Sequence, residues 1–269
     1  YASIAHFLEA RVVPVPLRAE DGFALDVAAL AARITPRSRL LILNSPHNPT
    51  GHVFSRTELE EIAQLCIAHD LICITDDPYE YIVFSGEHIP IATLPGMRER
   101  TVTISSLSKT FSITGWRLGY AIANPEWTSA IRKVHDFLTV GAPAPLQEAA
   151  AVALAMPEDY YVALADGYRA RRDYLVPALA EAGFGVFAPR GAYYCMTDLS
   201  AFGFDDDVTF ARWLVQEVGV AAVPGSSFYS RPADGRQRLR FHFARRRETL
   251  EAAVERLHTL RARIAGRTR

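Results

Sequence analysis

The sequence has little of several residue types, and each shortage excludes a class of protein. It contains three cysteines in 269 residues, and only two of its 29 basic residues are lysines, Lys109 and Lys133. Three scattered cysteines are too few for a disulfide framework or a thiolate metal cage, so we expect no metal site. No apolar run reaches the roughly 20 residues that cross a bilayer, and the first residues do not form a signal peptide. We therefore expect a cytoplasmic protein without a membrane segment.

The sequence also lacks an excess of either sign of charge, with 29 basic and 30 acidic residues. The formal net charge is −1, which gives no electrostatic reason to expect nucleic acid or an anionic membrane as a partner. Hydrophobic residues make up 49% of the chain and charged residues 22%. These are ordinary globular values, and they exclude a disordered chain.

Residues 1–160 alternate short apolar runs with amphipathic helices. Helix starts are marked by Asp26, by the pair Ser55 and Glu58, and by Asn124 before Pro125. The predicted strands are Arg11–Leu17, Arg39–Leu43, Leu71–Thr75, Thr101–Ser105 and Leu118–Ala123. Several of these runs are almost entirely apolar, which is typical of strands buried on both faces. The alternation predicts an α/β fold, a large domain with a mainly parallel sheet between helices.

The pattern changes over residues 161–269. The predicted elements there are the long helix Tyr160–Ala182, strands Phe184–Phe187 and Tyr193–Leu199, helix Asp206–Val218, strands Val220–Pro224 and Arg238–Phe243, and a final helix Arg246–Ile264. These elements predict a smaller α+β C-terminal domain, joined to the large domain by the long helix.

The segment SSLSKTFSITGWRLG, residues 105–119, carries the clearest chemistry. It places Lys109 just after a predicted buried strand, where ligands bind in folds of this class. In a sequence that otherwise uses arginine, a lysine is suited to imine chemistry, because its amine can lose a proton. The hydroxyls of Ser106 and Ser108 and the guanidinium of Arg117 are groups that bind phosphate.

This segment resembles the lysine motif of fold-type I, pyridoxal-phosphate-dependent class I/II aminotransferases. Four other segments resemble motifs of the same family in the same order: YASIAHF at residues 1–7, SPHNPTG at 45–51, TDDPYEY at 75–81 and RLRFHFA at 238–244. The segments HIPIATLPGMRERTVTI and VPGSSFYS are most similar to the kynurenine/glutamine or methionine aminotransferase branch.

The resemblance implies pyridoxal 5'-phosphate as cofactor and assigns a role to each matching residue. Lys109 would hold the cofactor covalently and act as the catalytic base. The other cofactor-binding residues would be Asp76 at the pyridine nitrogen, Asn48 and Tyr79 at the phenolic oxygen, Tyr1 stacked on the ring, and Ser106, Ser108 and Arg117 at the phosphate. Arg240, with Asn48, would bind the substrate carboxylate. The implied reaction moves an amino group between an L-amino acid and a 2-oxo acid, in a homodimer.

Members of this family usually carry an upstream arm and a glycine-rich loop that binds phosphate, and the sequence does not contain them. We therefore expect the large domain to be N-terminally incomplete. The resemblance leaves two other functions open. One is a pyridoxal-phosphate-dependent β-lyase, oxidase or cyclase. The other is the sensing domain of a transcription regulator, which would need a DNA-binding head upstream.

Overall fold

The computed structural model describes residues 1–267. It contains a first sheet of four strands, of which the first three run parallel and the fourth is antiparallel to the third. The strands are β1 Leu40–Asn44, β2 Ile72–Asp76, β3 Thr101–Ser106 and β4 Gly119–Ile122. The helices of this part of the chain are α1 Ala2–Phe7, α2 Val27–Ala31, α3 Arg56–Ala68, α4 Leu107–Thr110, α5 Pro125–Thr139 and α6 Ala144–Leu154.

The predicted helix starts of this region are confirmed, because each depends on neighbouring residues alone. The side chain of Asp26 accepts a hydrogen bond from the Ala29 N–H at the start of α2. Ser55 and Glu58 form a reciprocal capping box that begins α3. The buried face of α3, which includes Ile62 and Cys66, belongs to the same apolar cluster as Cys73 of β2.

The second sheet is antiparallel, in the order β5, β6, β8, β7. Its strands are β5 Gly185–Phe187, β6 Tyr194–Asp198, β7 Val223–Pro224 and β8 Arg238–His242. The helices of this part are α7 Glu158–Ala182, α8 Asp207–Trp213, α9 Arg247–Leu257 and α10 Leu260–Arg267. Buried side chains of α7, α8 and α9 pack with those of the sheet in one large apolar cluster. The α/β fold class is confirmed, whereas the boundary at residue 160 stays a prediction.

Three sequence predictions need correction. Residues 11–17 form no strand, because Pro14 and Pro16 have no N–H to donate to a sheet. The strand predicted at 220–224 shrinks to β7, two residues at the sheet edge. The final helix is two helices, α9 and α10, separated at His258 and Thr259.

One face of the first sheet is more open than the apolar runs suggest. Leu40, Ile42 and Ile104 lie on the same face as Asp76, and all three are exposed. The prediction of strands buried on both faces is therefore wrong for part of this sheet. Within residues 1–267, no helix is both long and apolar enough to cross a membrane.

Candidate active site

Three parallel strands end at the same edge of the first sheet. Asn44, Asp76 and Ile104 are neighbours in the register of β1, β2 and β3. Ligands bind outside the carboxyl ends of the strands in open α/β sheets, so this edge is where a site is expected. Asn48 follows β1, Asp76 ends β2 and Lys109 follows β3. The topology thus brings three of the predicted site residues to one edge.

Asn44 is absent from the predicted site residues, yet its side chain joins two parts of this edge. Its Nδ2 donates to the Asp76 carbonyl oxygen at 2.6 Å, and its Oδ1 accepts from the Asn48 N–H at 2.7 Å. Asn44 therefore fixes the start of the 45–51 loop against the end of β2. A polar residue that closes the apolar run LLILN is the sequence signal that could have identified it.

Tyr1 contacts Asp76 through its hydroxyl, which donates a hydrogen bond to the carboxylate oxygen Oδ2. Burial of the hydroxyl is the main cause that raises the pKa of the Tyr1 phenol, and the hydrogen bond to Asp76 raises it as well. The phenol therefore remains a donor. The structure thus brings Tyr1 to the predicted site. The stacking role of its ring stays a prediction.

Asp77 lies in the buried interior beside Asp76. It accepts a hydrogen bond from the Thr75 hydroxyl at 2.9 Å, and its Oδ2 lies 3.9 Å from Nε2 of the buried His88. Burial raises the pKa of Asp77 to about 7 and lowers that of His88 to about 4. The neighbouring carboxylates of Glu80 and Asp76 contribute to this increase, and the hydrogen bond from Thr75 opposes it. Two titratable groups are therefore enclosed directly behind the sheet edge.

Lys109 lies in α4, a single helical turn after β3. The hydroxyl oxygen of Ser106 accepts a hydrogen bond from the Ser108 N–H at 3.2 Å and caps this turn. Ser108 is buried and Lys109 is half-buried. Among residues 1–267, no group accepts a hydrogen bond or forms an ion pair with the Lys109 ammonium. Its amine is therefore available for a ligand.

Among residues 1–267, Arg117 forms no hydrogen bond with Ser106 or Ser108, the other residues predicted to bind phosphate. It is exposed, has a left-handed backbone with φ of 55°, and donates from Nη1 to the Thr114 carbonyl oxygen at 3.0 Å. Its backbone is nonetheless close, because the next residue, Leu118, accepts a hydrogen bond from the Leu107 N–H. Its contact with phosphate stays a prediction.

The second sheet contributes Arg240, which extends to the loop of the first sheet. Its Nη1 donates to Asn48 Oδ1 at 2.7 Å. The rings of Tyr194 and Phe228 both contact this guanidinium, with their centroids 4.2 Å and 4.6 Å from the guanidinium carbon. Contacts of this length between a guanidinium and a ring face are attractive. The predicted pair of substrate-binding residues, Asn48 and Arg240, is therefore in direct contact.

Tyr79 is buried between the two sheets. Its hydroxyl forms a 2.9 Å hydrogen bond with the hydroxyl of Tyr194, and its ring packs edge-on against Tyr193 and Tyr194. Burial, and then the neighbouring tyrosines, raise the pKa of Tyr79, so its phenol stays protonated. Sequence reasoning selected Tyr79 and missed Tyr194, whose only signal is a second tyrosine in GAYYCM.

Comparison with known proteins identifies the family of the chain. The family described as aminotransferase class I and II matches residues 1–257. A probable N-succinyldiaminopimelate aminotransferase DapC of Mycobacterium tuberculosis is 42% identical over 276 residues, covering 98% of this chain and 69% of that protein. The methionine aminotransferase of Escherichia coli is 41% identical over 239 residues, covering 88% of this chain and 62% of that protein. A solved structure of N-succinyldiaminopimelate aminotransferase from Mycobacterium tuberculosis superposes with a TM-score of 0.90 at 41% identity, covering 97% of this chain and 68% of that one.

The chain therefore spans about two thirds of the length of these relatives. The family resemblance and the fold type expected from the sequence motifs are confirmed. The chain belongs to the class I and II aminotransferase family of fold-type I, whose reaction transfers an amino group between an amino acid and a 2-oxo acid.

Proposed function

We propose that this protein is a pyridoxal-phosphate-dependent aminotransferase that acts on an L-amino acid and a 2-oxo acid. The observation that carries the proposal is the meeting of the two sheets at one edge. The first sheet contributes Asp76 and Lys109, and the second sheet contributes Arg240, hydrogen-bonded to Asn48. A carboxylate and a free amine thus lie at the carboxyl edge of the first sheet, and the guanidinium of Arg240 contacts the loop that follows β1 at this edge.

The donor set of this edge fits pyridoxal 5'-phosphate. The Lys109 amine has no competing partner among the described residues, so it is available for a carbonyl carbon. The Asp76 carboxylate already accepts a hydrogen bond from a ring hydroxyl, and a protonated pyridine nitrogen offers the same kind of donor. Ser106, Ser108 and Arg117 are the residues that would hold the phosphate.

Pyridoxal phosphate, when bound, supplies the electron sink that makes the substrate α-proton acidic. The residues of this chain would do the rest. Arg240 would bind the substrate carboxylate through two parallel hydrogen bonds and so fix the direction of the Cα–H bond. Lys109 Nζ would take the proton from Cα as a general base. Tyr79 and Asn48 would donate hydrogen bonds to the phenolic oxygen.

We further propose that the enzyme is a homodimer. Exposed apolar side chains on helices α1 and α5 support a homodimer. Phe7 at the end of α1 is 85% exposed, and Phe137 on α5 is 93% exposed. Exposed apolar surface of this kind often marks contact with another chain.

The test of the proposed function replaces Lys109 with alanine. We expect Lys109→Ala to abolish turnover and to lose the cofactor adduct that borohydride reduction makes permanent, as measured by absorbance and mass spectrometry of the peptides. Lys133→Ala is the matched control, because Lys133 is the other lysine and is exposed on α5. A Lys109→Ala protein that still yields the reduced adduct would refute the assignment.

A further inference from the structure

Tyr194 makes two contacts with residues of the candidate site. Its ring centroid lies 4.2 Å from the guanidinium carbon of Arg240, and its hydroxyl lies 2.9 Å from that of Tyr79. Tyr194 is buried, with 8% of its surface exposed. One side chain therefore links the group proposed to bind substrate to a group proposed to bind the cofactor.

The register of the second sheet explains the first contact. Tyr194 pairs with His242 across β6 and β8, and Met196 pairs with Arg240, so the four side chains share one face. Tyr194 is thus the diagonal neighbour of Arg240, within reach of an aromatic side chain. Phe228 stacks on the guanidinium from the turn that follows β7, at 4.6 Å. Both rings contact the guanidinium of Arg240, whose Nη1 donates to Asn48 Oδ1.

The second contact is the hydrogen bond between the hydroxyls of Tyr194 and Tyr79. The Tyr79 hydroxyl has one proton, so it can donate to one group at a time. When the Tyr194 hydroxyl donates to the Tyr79 oxygen, Tyr79 keeps its own proton for a group in the site. A hydroxyl that accepts one hydrogen bond is also a stronger donor of another. The 2.9 Å contact allows either hydroxyl to be the donor, and in the orientation with Tyr194 as donor its hydroxyl strengthens Tyr79 as a donor.

We propose that Tyr194 is a positioning residue with two separable parts: its ring holds Arg240 for the substrate carboxylate, and its hydroxyl orients Tyr79. This rests on the roles given to Arg240 and Tyr79 in the proposed function. The two parts can be removed one at a time, because phenylalanine keeps the ring and loses only the hydroxyl.

The hydroxyl is tested with Tyr194→Phe in the cofactor-loaded enzyme, without substrate. We expect the pH midpoint of the cofactor's visible absorbance to rise by about 0.4 to 1 unit, because a weaker Tyr79 donor stabilises the phenolate less. The control is Tyr168→Phe, which removes the hydroxyl of a buried tyrosine stacked on Tyr193 and leaves Tyr194 intact. Equal midpoints in the two variants would overturn the role of the hydroxyl.

The ring is tested by titrating propionate, an unreactive carboxylate, against the visible spectrum of the loaded enzyme. We expect Tyr194→Leu to raise the propionate dissociation constant by about twofold to 30-fold, and Tyr194→Phe to leave it unchanged. Phe228→Leu, at a half-exposed turn, should raise it in the same way and serves if Tyr194→Leu does not fold. Unchanged affinity in every folded leucine variant would overturn the role of the ring.

These outcomes are distinguishable from failure of the proposed function. If Lys109→Ala retains the reduced cofactor adduct, the function itself is wrong, whatever Tyr194 does. If Lys109 carries the adduct and Tyr194→Phe leaves the midpoint in place, only the inference on the hydroxyl is wrong.

Discussion

The two sheets of this protein bury their apolar residues to different extents. The first sheet leaves Leu40 and Ile42 exposed on the face that carries Asp76, and Ile122 of β4 is exposed as well. In the second sheet Met196 and Leu239 are fully buried, and the helices packed on it close a single large core. The open sheet carries most of the proposed cofactor groups, whereas the closed sheet holds Arg240.

This difference separates chemistry from stability within one chain. A site needs accessible polar side chains at a sheet edge, and such an edge contributes less apolar burial than a closed core. The second sheet holds Arg240 on a strand whose other face is fully packed, so the guanidinium is presented from a rigid support. We therefore expect substitutions at the edge of the first sheet to affect mainly function. Substitutions in the apolar core around the second sheet should affect mainly folding.

The largest expected effect concerns Arg240, which we propose binds the substrate although it belongs to the closed second sheet. Arg240→Ala should raise the KM for the amino acid by a factor corresponding to about 2–5 kcal/mol, because the substrate carboxylate loses its charged partner. Arg240→Lys should restore it only in part, since the planar fork is lost. Cofactor affinity, measured by titration, should stay unchanged.

Arg238→Ala is the matched control for this change. Arg238 points to the same face of β8 but is already paired with Asp198, so its loss should leave KM close to that of the wild type. Loss of cofactor affinity in Arg240→Ala, with an unchanged KM, would move Arg240 to the phosphate site.

The next prediction compares the two regions by their stability. Phe210 is fully buried in the second core, where its ring stacks on Phe202 and packs edge-on against Phe184. Phe210→Ala should lower the free energy of unfolding by about 3–5 kcal/mol, because it leaves a cavity. Phe137→Ala, the same change at a side chain that is 93% exposed, should alter it by less than about 0.5 kcal/mol in the monomer.

Urea unfolding of both variants measures the difference. In a dimer, Phe137→Ala should instead weaken association, which sedimentation detects. Equal losses of unfolding free energy in the two monomers would contradict the division between an open and a closed region.

Local patterns predicted the parts of the fold that depend on neighbouring residues. Ser55 and Glu58 lie three positions apart, so their capping box can be identified from the sequence alone. The same reasoning failed at residues 11–17, where a short apolar run predicts a strand but two prolines prevent the ladder of hydrogen bonds. The break between α9 and α10 gave no comparable signal.

For the candidate site, sequence-based prediction fails where a residue's contacts depend on segments that are distant in the chain. Lys109 could be selected because lysine is rare here and because its segment resembles a known motif. Tyr194 could not, since its role depends on meeting Tyr79, 115 positions away. The contact between Arg240 and Asn48 spans 192 positions and depends on how the two sheets pack. Register and packing of this kind are not contained in any local pattern.

The smallest expected effect is on the pH dependence of the unfolding free energy. It concerns two titratable groups enclosed near the first sheet, Asp77 and His88. Burial raises the pKa of Asp77 from 3.8 to about 7, so the folded protein binds a proton that the unfolded chain has already released. Asp77 therefore lowers the free energy of unfolding as the pH rises from about 4 to 7. Burial lowers the pKa of His88 from 6.5 to about 4, so the folded protein keeps the ring neutral. His88 therefore lowers that free energy as the pH falls from 6.5 to 4.

In the wild type, Asp77 and His88 change the unfolding free energy with pH in opposite directions. A variant of either residue removes one of these two contributions. Asp77→Asn removes the first, so its unfolding free energy should fall towards acid pH more steeply than that of the wild type. His88→Asn removes the second, so, relative to the wild type, its unfolding free energy should decrease as the pH rises from 4 to 7. Urea unfolding across this range measures both slopes, and the groups common to the two variants cancel in the difference. Parallel pH profiles for Asp77→Asn and His88→Asn would show that neither group changes its protonation on folding. The enclosed pair would then be an ion pair, and the open region would owe none of its pH dependence to these two residues.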